Sequence, residues 1–237
     1  MRHRIRSSGM ALILGTLLSA NSLPVLAQED KPKPKAPQPT VPENFTLMGQ
    51  YVRVAYNNEG YVTLGYRVAN ASVGQEWMLL EVGATVREGV GAYQLKRDAL
   101  SLETPDKKTL PLATVPEYRE ADLRGMQTMA NQMRDSISYF PGNVTRPCAM
   151  SFFPDPKRGN LAYDQVELSS QNGCLGRVYF HVPGGIKTGQ HWLKVKFPTT
   201  EVHVPFRILT KEEAKEFSKT WEDLKDEHDE KTKAKHK

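Results

Sequence analysis

From about Thr46 to Leu209 the apolar residues of this chain recur at every second position in one short run after another, and any fold has to satisfy that period. In YVTLGYRVAN, Val62, Leu64, Tyr66 and Val68 share one face, and NNEG between Tyr56 and Tyr61 supplies a hairpin turn. EWMLLEVGATVRE alternates Met78, Leu80, Val82, Ala84 and Val86 with Trp77, Leu79 and Glu81. Its first half is apolar on both faces, as a central strand covered from both sides requires. YQLKRDALSLETPDKKTLPL reads as a strand, a turn at Pro105-Asp106 and a short return strand. After an interruption, GRVYFHV, HWLKVKF and EVHVPFRIL repeat the alternation, the last two joined across PTTE. Pro205 removes an amide donor from the final strand, which predicts an edge position or a bulge. About seven strands at this spacing in about 160 residues predict a mainly β chain, an antiparallel β-sandwich.

The run LKRDALSLETPDKKTLPL, the later GRVYFHV and the closing EVHVPFRI together resemble the immunoglobulin-like domains of secreted bacterial proteins in the immunoprotective extracellular superfamily. The resemblance covers residues 47–112 and 176–209 and implies an immunoglobulin-like sandwich without catalytic activity. It supplies no site residues. The segment 113–175 departs from the pattern and is expected as a helical insertion in a domain spanning 46–209.

Ahead of that domain, Arg2, Arg4 and Arg6 precede an apolar run from Met10 that ends in Val25-Leu26-Ala27, the pattern of a secretory signal peptide over 1–27. The run is too short and too interrupted to serve as a stable membrane anchor. Residues 28–45, QEDKPKPKAPQPTVPENF, read as a proline-rich, disordered tether. Without the three signal-peptide arginines, 29 basic residues face 27 acidic ones, so no basic excess argues for a nucleic-acid partner. An exported chain with only Cys148 and Cys174 is expected to pair them, in the periplasm or outside the cell.

Two helices are expected. Thr114 and Glu117 form a capping box for one over about 116–137, on which Met126, Met129 and Met133 lie within a sector of about 60°. Tyr118, Leu123, Ala130 and Ile137 widen that sector to about 140°, the width of a face docked on a core. The alternative is a soft-metal site in which the three thioethers hold Cu(I). The other helix starts at a capping box of Thr210 and Glu213 and carries a stripe of Ala214, Phe217, Trp221 and Leu224, suited to docking or to a protein partner. Over 211–237, eight basic and nine acidic residues leave the rest of that segment to solvent.

Catalytic patterns are missing from the sequence: there is no GxSxG elbow, HExxH, Walker loop or dinucleotide glycine motif. His181 and His203 are expected on outward faces and His191 at a strand start, with no fixed-offset partner for zinc. Sequons at Asn44, Asn70 and Asn143 carry no weight in a bacterial exported chain. The functional expectation is a noncatalytic exported binding or interaction protein without a cofactor, with a protein partner in the cell envelope. A dispersed active site, with Asp155 and Asp164 as its first acid pair, is the enzymatic alternative.

Overall fold

The structure, a computed structural model, describes residues 49–154, 159 and 161–222. The signal peptide, the whole tether, Asp155 and Leu224 lie outside the described residues.

The described residues form eleven strands, the alternating runs among them. A five-stranded sheet has the order β1 (Val52–Tyr56), β2 (Gly60–Gly65), β3 (Trp77–Val86), β9 (Asn172–His181), β7 (Arg146–Ala149). A four-stranded sheet has the order β11 (Glu201–Ile208), β10 (Gly189–Lys196), β5 (Leu100–Glu103), β6 (Thr109–Pro111). A ribbon pairs β4 (Tyr93–Lys96) with β8 (Gln165–Leu168). All three sheets contribute to one hydrophobic core, in which Val62, Leu64, Leu80, Val82, Leu102, Leu168, Leu193, Val195, Val204 and Phe206 are fully buried. The fold is mainly β and its strand pairs are antiparallel, with one exception.

The exception is β7, which runs parallel to β9. A parallel neighbour needs a crossover, and here the chain leaves the sheet after β7, pairs with β4 as β8, and returns as β9. Cys148 and Cys174 sit directly opposite each other across this parallel pair, with Cα atoms 4.1 Å apart, and form the expected disulfide. Closing a loop of 26 residues stabilises by about 3.5 kcal/mol in the chain-entropy account. The three proline-bearing strands among the described residues lie at edges, β11 with Pro205 as expected, β7 with Pro147 and β6 with Pro111, where a missing amide costs no ladder bond.

Three local expectations are corrected. The second strand stops at Gly65, and Arg67–Ala71 is a short helix, α1, whose Val68 and Ala69 are buried. The Ser72 hydroxyl donates to Val68 O at 2.8 Å and closes that turn, so Tyr66 and Val68 reach the core without belonging to a strand. The helix expected over 116–137 is two: α2 (Val115–Glu120), started by the Thr114–Glu117 capping box, and α3 (Arg124–Gln132). The segment 113–175 is not only helical, since it holds β7, β8 and the first residues of β9. The capping box at Thr210 and Glu213 is present, and residues 211–222 are helical, forming α4.

Candidate functional site

Strand β3 is buried along both faces, because one face meets the core and the other lies under segment 113–175. Four polar contacts hold that segment in place. The Arg97 guanidinium donates to the carbonyls of Ala113 and Phe152, which are the two roots of the covering layer. Arg67 grips the Asp135 carboxylate from Nε and Nη2 at 2.7 to 3.0 Å. The Thr63 hydroxyl donates to Ile137 O at 2.8 Å. Arg177 donates to Ala130 O at 2.8 Å and to Asn131 Oδ1 at 2.9 Å, placing a cation on the carbonyl end of α3.

Beyond α3 the chain runs as an extended strap over the sheet, seated on glycines. A Cβ on Gly83 would lie 2.9 Å from Phe140 Cζ, one on Gly173 2.7 Å from Phe140 Cε2, and one on Gly65 2.9 Å from Ile137 Cγ2. Strands β2, β3 and β9 therefore give up side chains where the strap crosses them, and Ile137 is buried in the space.

Between strap, helices and sheet lies a cleft of about 640 Å³. Its floor is Glu81 from β3 with Leu175, Gly176, Arg177 and Tyr179 from β9. One wall is Tyr118, Gln127, Asn131, Arg134 and Ile137, and the other is Pro147 to Ser151 with Phe153 and Pro154. The aromatic end is tightly packed: Tyr118, Phe153 and Tyr179 have ring centroids 4.8 to 5.0 Å apart. The Tyr118 hydroxyl donates to Pro154 O at 3.1 Å and accepts from Gln127 Nε2 at 2.8 Å. Burial pushes the Tyr179 phenol well up, with Tyr118 beside it adding to the shift, so it stays neutral. At the polar end, Glu81 Oε1 lies 3.4 Å from Arg177 Nε and 4.0 Å from Arg134 Nε. Burial raises the Glu81 carboxyl above its ordinary value, against the pull of Arg177 and then of Arg134. The cleft thus offers guanidinium and amide donors at one end and an apolar and aromatic wall at the other, the make-up of a small-ligand site.

The residues singled out from the sequence are spread differently. Met126 is buried, Met129 is half-buried, and Met133 caps the end of α3 with 38 % of its surface exposed, so the three thioethers face different surroundings. Among the described residues, no group of three His, Cys, Asp or Glu side chains is placed to hold a metal ion. Phe217 meets Tyr51 edge-on at 6.4 Å, and Phe217 and Trp221 are both half-buried, so the α4 stripe leans on its own domain without being covered. Asp164 is exposed and does not line the cleft. His191, expected at a strand start, is fully buried and stacked on Phe206 at 5.3 Å. The cleft residues carry one signal in the sequence, a lone carboxylate in the apolar run MLLEVGAT; what lies opposite Glu81 depends on a strand ninety-odd residues away. No protein-family model matches this chain, and neither a curated protein nor a solved structure matches it with significance.

Proposed function

We propose that this protein is a noncatalytic exported binding protein: an immunoglobulin-like β-sandwich of the immunoprotective extracellular kind, whose inserted segment forms a binding cleft for a partner in the cell envelope. The cleft carries the reading. It stands on the rigid central strands of the larger sheet, and arginines anchored at both roots and along the strap fix its roof. The disulfide and the signal-like N-terminus support export. Two sheets sharing one core support the sandwich, and the strand resemblance supports its type.

Binding is favoured over catalysis by how the polar groups are engaged. Glu81, Arg177, Asn131, Gln127 and Tyr118 bond mainly to one another or to backbone carbonyls. Ser151, the hydroxymethyl group on the lining, is hydrogen-bonded through its side chain to no imidazole or carboxylate among the described residues. Photo-crosslinking in intact cells tests the reading. A benzophenone side chain at Ala149, on the cleft, should give a discrete adduct that excess unlabelled protein competes away, while the same group at exposed Val73, off the cleft, should not. Equal labelling from both sites, or none from Ala149, refutes it. Turnover of any glycan, ester or peptide that is lost in Glu81→Gln would replace it with the enzymatic alternative.

A further inference from the structure

The charges lining the cleft do not balance. Among the described residues on its lining, Glu81, Arg134 and Arg177 are the ionised side chains, so one positive charge is left over. Arg177 is fully engaged, with Ala130 O, Asn131 Oδ1 and Glu81 all on its guanidinium. Arg134 is not: among the described residues its one ion-pair partner is Glu81 at 4.0 Å, beyond hydrogen-bond length, and 58 % of its side chain is exposed. The adjacent acid, Asp135, gives it no partner, because Arg67 holds that carboxylate from two nitrogens. Below Arg134 the wall turns apolar at Ile137, Met150, Phe153 and Leu175.

We infer that the cleft takes a ligand carrying one carboxylate on an apolar body, with the carboxylate forked on Arg134 and the body against Met150, Phe153 and Leu175. This rests on the binding reading above and names the ligand chemistry of that site. A guanidinium offers two parallel N–H donors to a carboxylate, which a lone ammonium cannot do. Glu81 does not repel such a ligand strongly, because its side chain is only 10 % exposed and is paired with Arg177 at 3.4 Å. The same chemistry reaches the cleft from a free organic acid or from the carboxy-terminus of a peptide ending in apolar residues.

Calorimetric titration of the purified protein with four probes tests it: decanoate, decyltrimethylammonium, and N-acetyl-Ala-Leu-Phe as free acid and as amide. At least one acid should bind about tenfold or more tighter than its uncharged or cationic counterpart. In Arg134→Gln that preference should vanish with the melting temperature unchanged, and Arg134→Lys should keep part of it. Preference for decanoate points to a small acid as the source, and preference for the free-acid peptide to a carboxy-terminus. Equal binding of acid and amide, tighter binding of the cation, or a preference that survives Arg134→Gln overturns the inference. If probes bind without acid preference and Ala149→Trp abolishes that binding, the binding cleft stands and only its ligand class falls. If no probe binds at about 1 mM, or binding ignores Ala149→Trp, the ligand inference falls, and crosslinking from Ala149 decides the binding reading separately.

Discussion

Arg97 does the most structural work of any single side chain around the cleft. Its guanidinium reaches the carbonyls of Ala113 and Phe152, buried residues 39 positions apart, and its Cζ sits 4.6 Å over the Phe153 ring. Burial lowers its pKa, with Asp164 opposing, but a guanidinium stays charged at any working pH. Arg97→Ala would leave two buried carbonyls without donors and remove the cation from the ring, which predicts a loss of about 3 kcal/mol in urea unfolding. Arg97→Lys should recover no more than about half, since one ammonium cannot span both carbonyls in the same geometry. Hydrogen exchange should rise across 113–154 in Arg97→Ala while β1 and β2 keep their protection. A loss below about 1 kcal/mol, or a uniform rise in exchange, would show that the two roots hold without it.

At the scale of elements, the strap and the sheet under it form one device, because the glycine positions make sense only with Phe140 and Ile137 above them. A methyl group on Gly83 would meet Phe140, Leu175 and Thr63 all within 3 Å, so Gly83→Ala should cost about 1 to 3 kcal/mol by overpacking. Part of that cost belongs to the strap. Repeating Gly83→Ala in a Phe140→Ala background should reduce it by at least about 0.5 kcal/mol, and strict additivity would mean that the ring does not bear on that glycine. The strands themselves were readable from sequence, because period-2 alternation survives wherever a strand has one dry face: β3, β10, β11 and the β5–β6 hairpin lie where the residues put them. Both capping boxes and the disulfide were readable too, since each depends on a few residues at short or forced spacing. The cleft was not. A strap that lies flat on a sheet has no period, and glycines in a strand look like weakness until the segment crossing them is known. The end of the long helix at Gln132, short of the expected 137, had the same origin: Ile137 fits the wheel of one helix, yet it is drawn down to the sheet by Asp135 on Arg67 and by Thr63.

For the molecule as a whole, the turns of the two larger sheets are joined by a carboxylate that answers to pH, and other titratable groups are buried nearby or within the core. Glu59, in the β1–β2 turn, accepts from the amides and hydroxyls of Thr199 and Thr200 in the β10–β11 turn at 2.6 to 3.0 Å, and Asn57 Nδ2 adds a bond to Thr200 Oγ1 at 2.8 Å. Burial works to raise the Glu59 carboxyl, but the four donors outweigh it and hold the group below its ordinary 4.5. Its contribution is therefore present above pH 4.5 and is lost as the pH falls further. His191 is held neutral: burial lowers its pKa below the ordinary 6.5, against smaller raising effects from the Gly189 carbonyl and Asp106. It accordingly contributes stability above pH 6.5 that drains away as the unfolded chain takes up a proton below it. Glu81 runs the other way, raised by burial, so its contribution is present below 4.5 and lost as the pH rises through its folded value. On the alkaline side burial pushes Tyr66 up to about 12, so its contribution holds to pH 10 and is lost between there and about 12. The expected profile is a plateau from about pH 7 to 9.5 with an acid limb that begins at His191. His191→Phe keeps the stack on Phe206 and removes the proton site, so the difference in unfolding free energy between parent and variant should change by up to about 1.4 kcal/mol per pH unit just below 6.5. Measured as urea midpoints at half-unit steps from pH 4 to 8, that difference should be constant above 7. A difference that stays constant through 5.5 would mean that His191 is charged and solvated in the native protein.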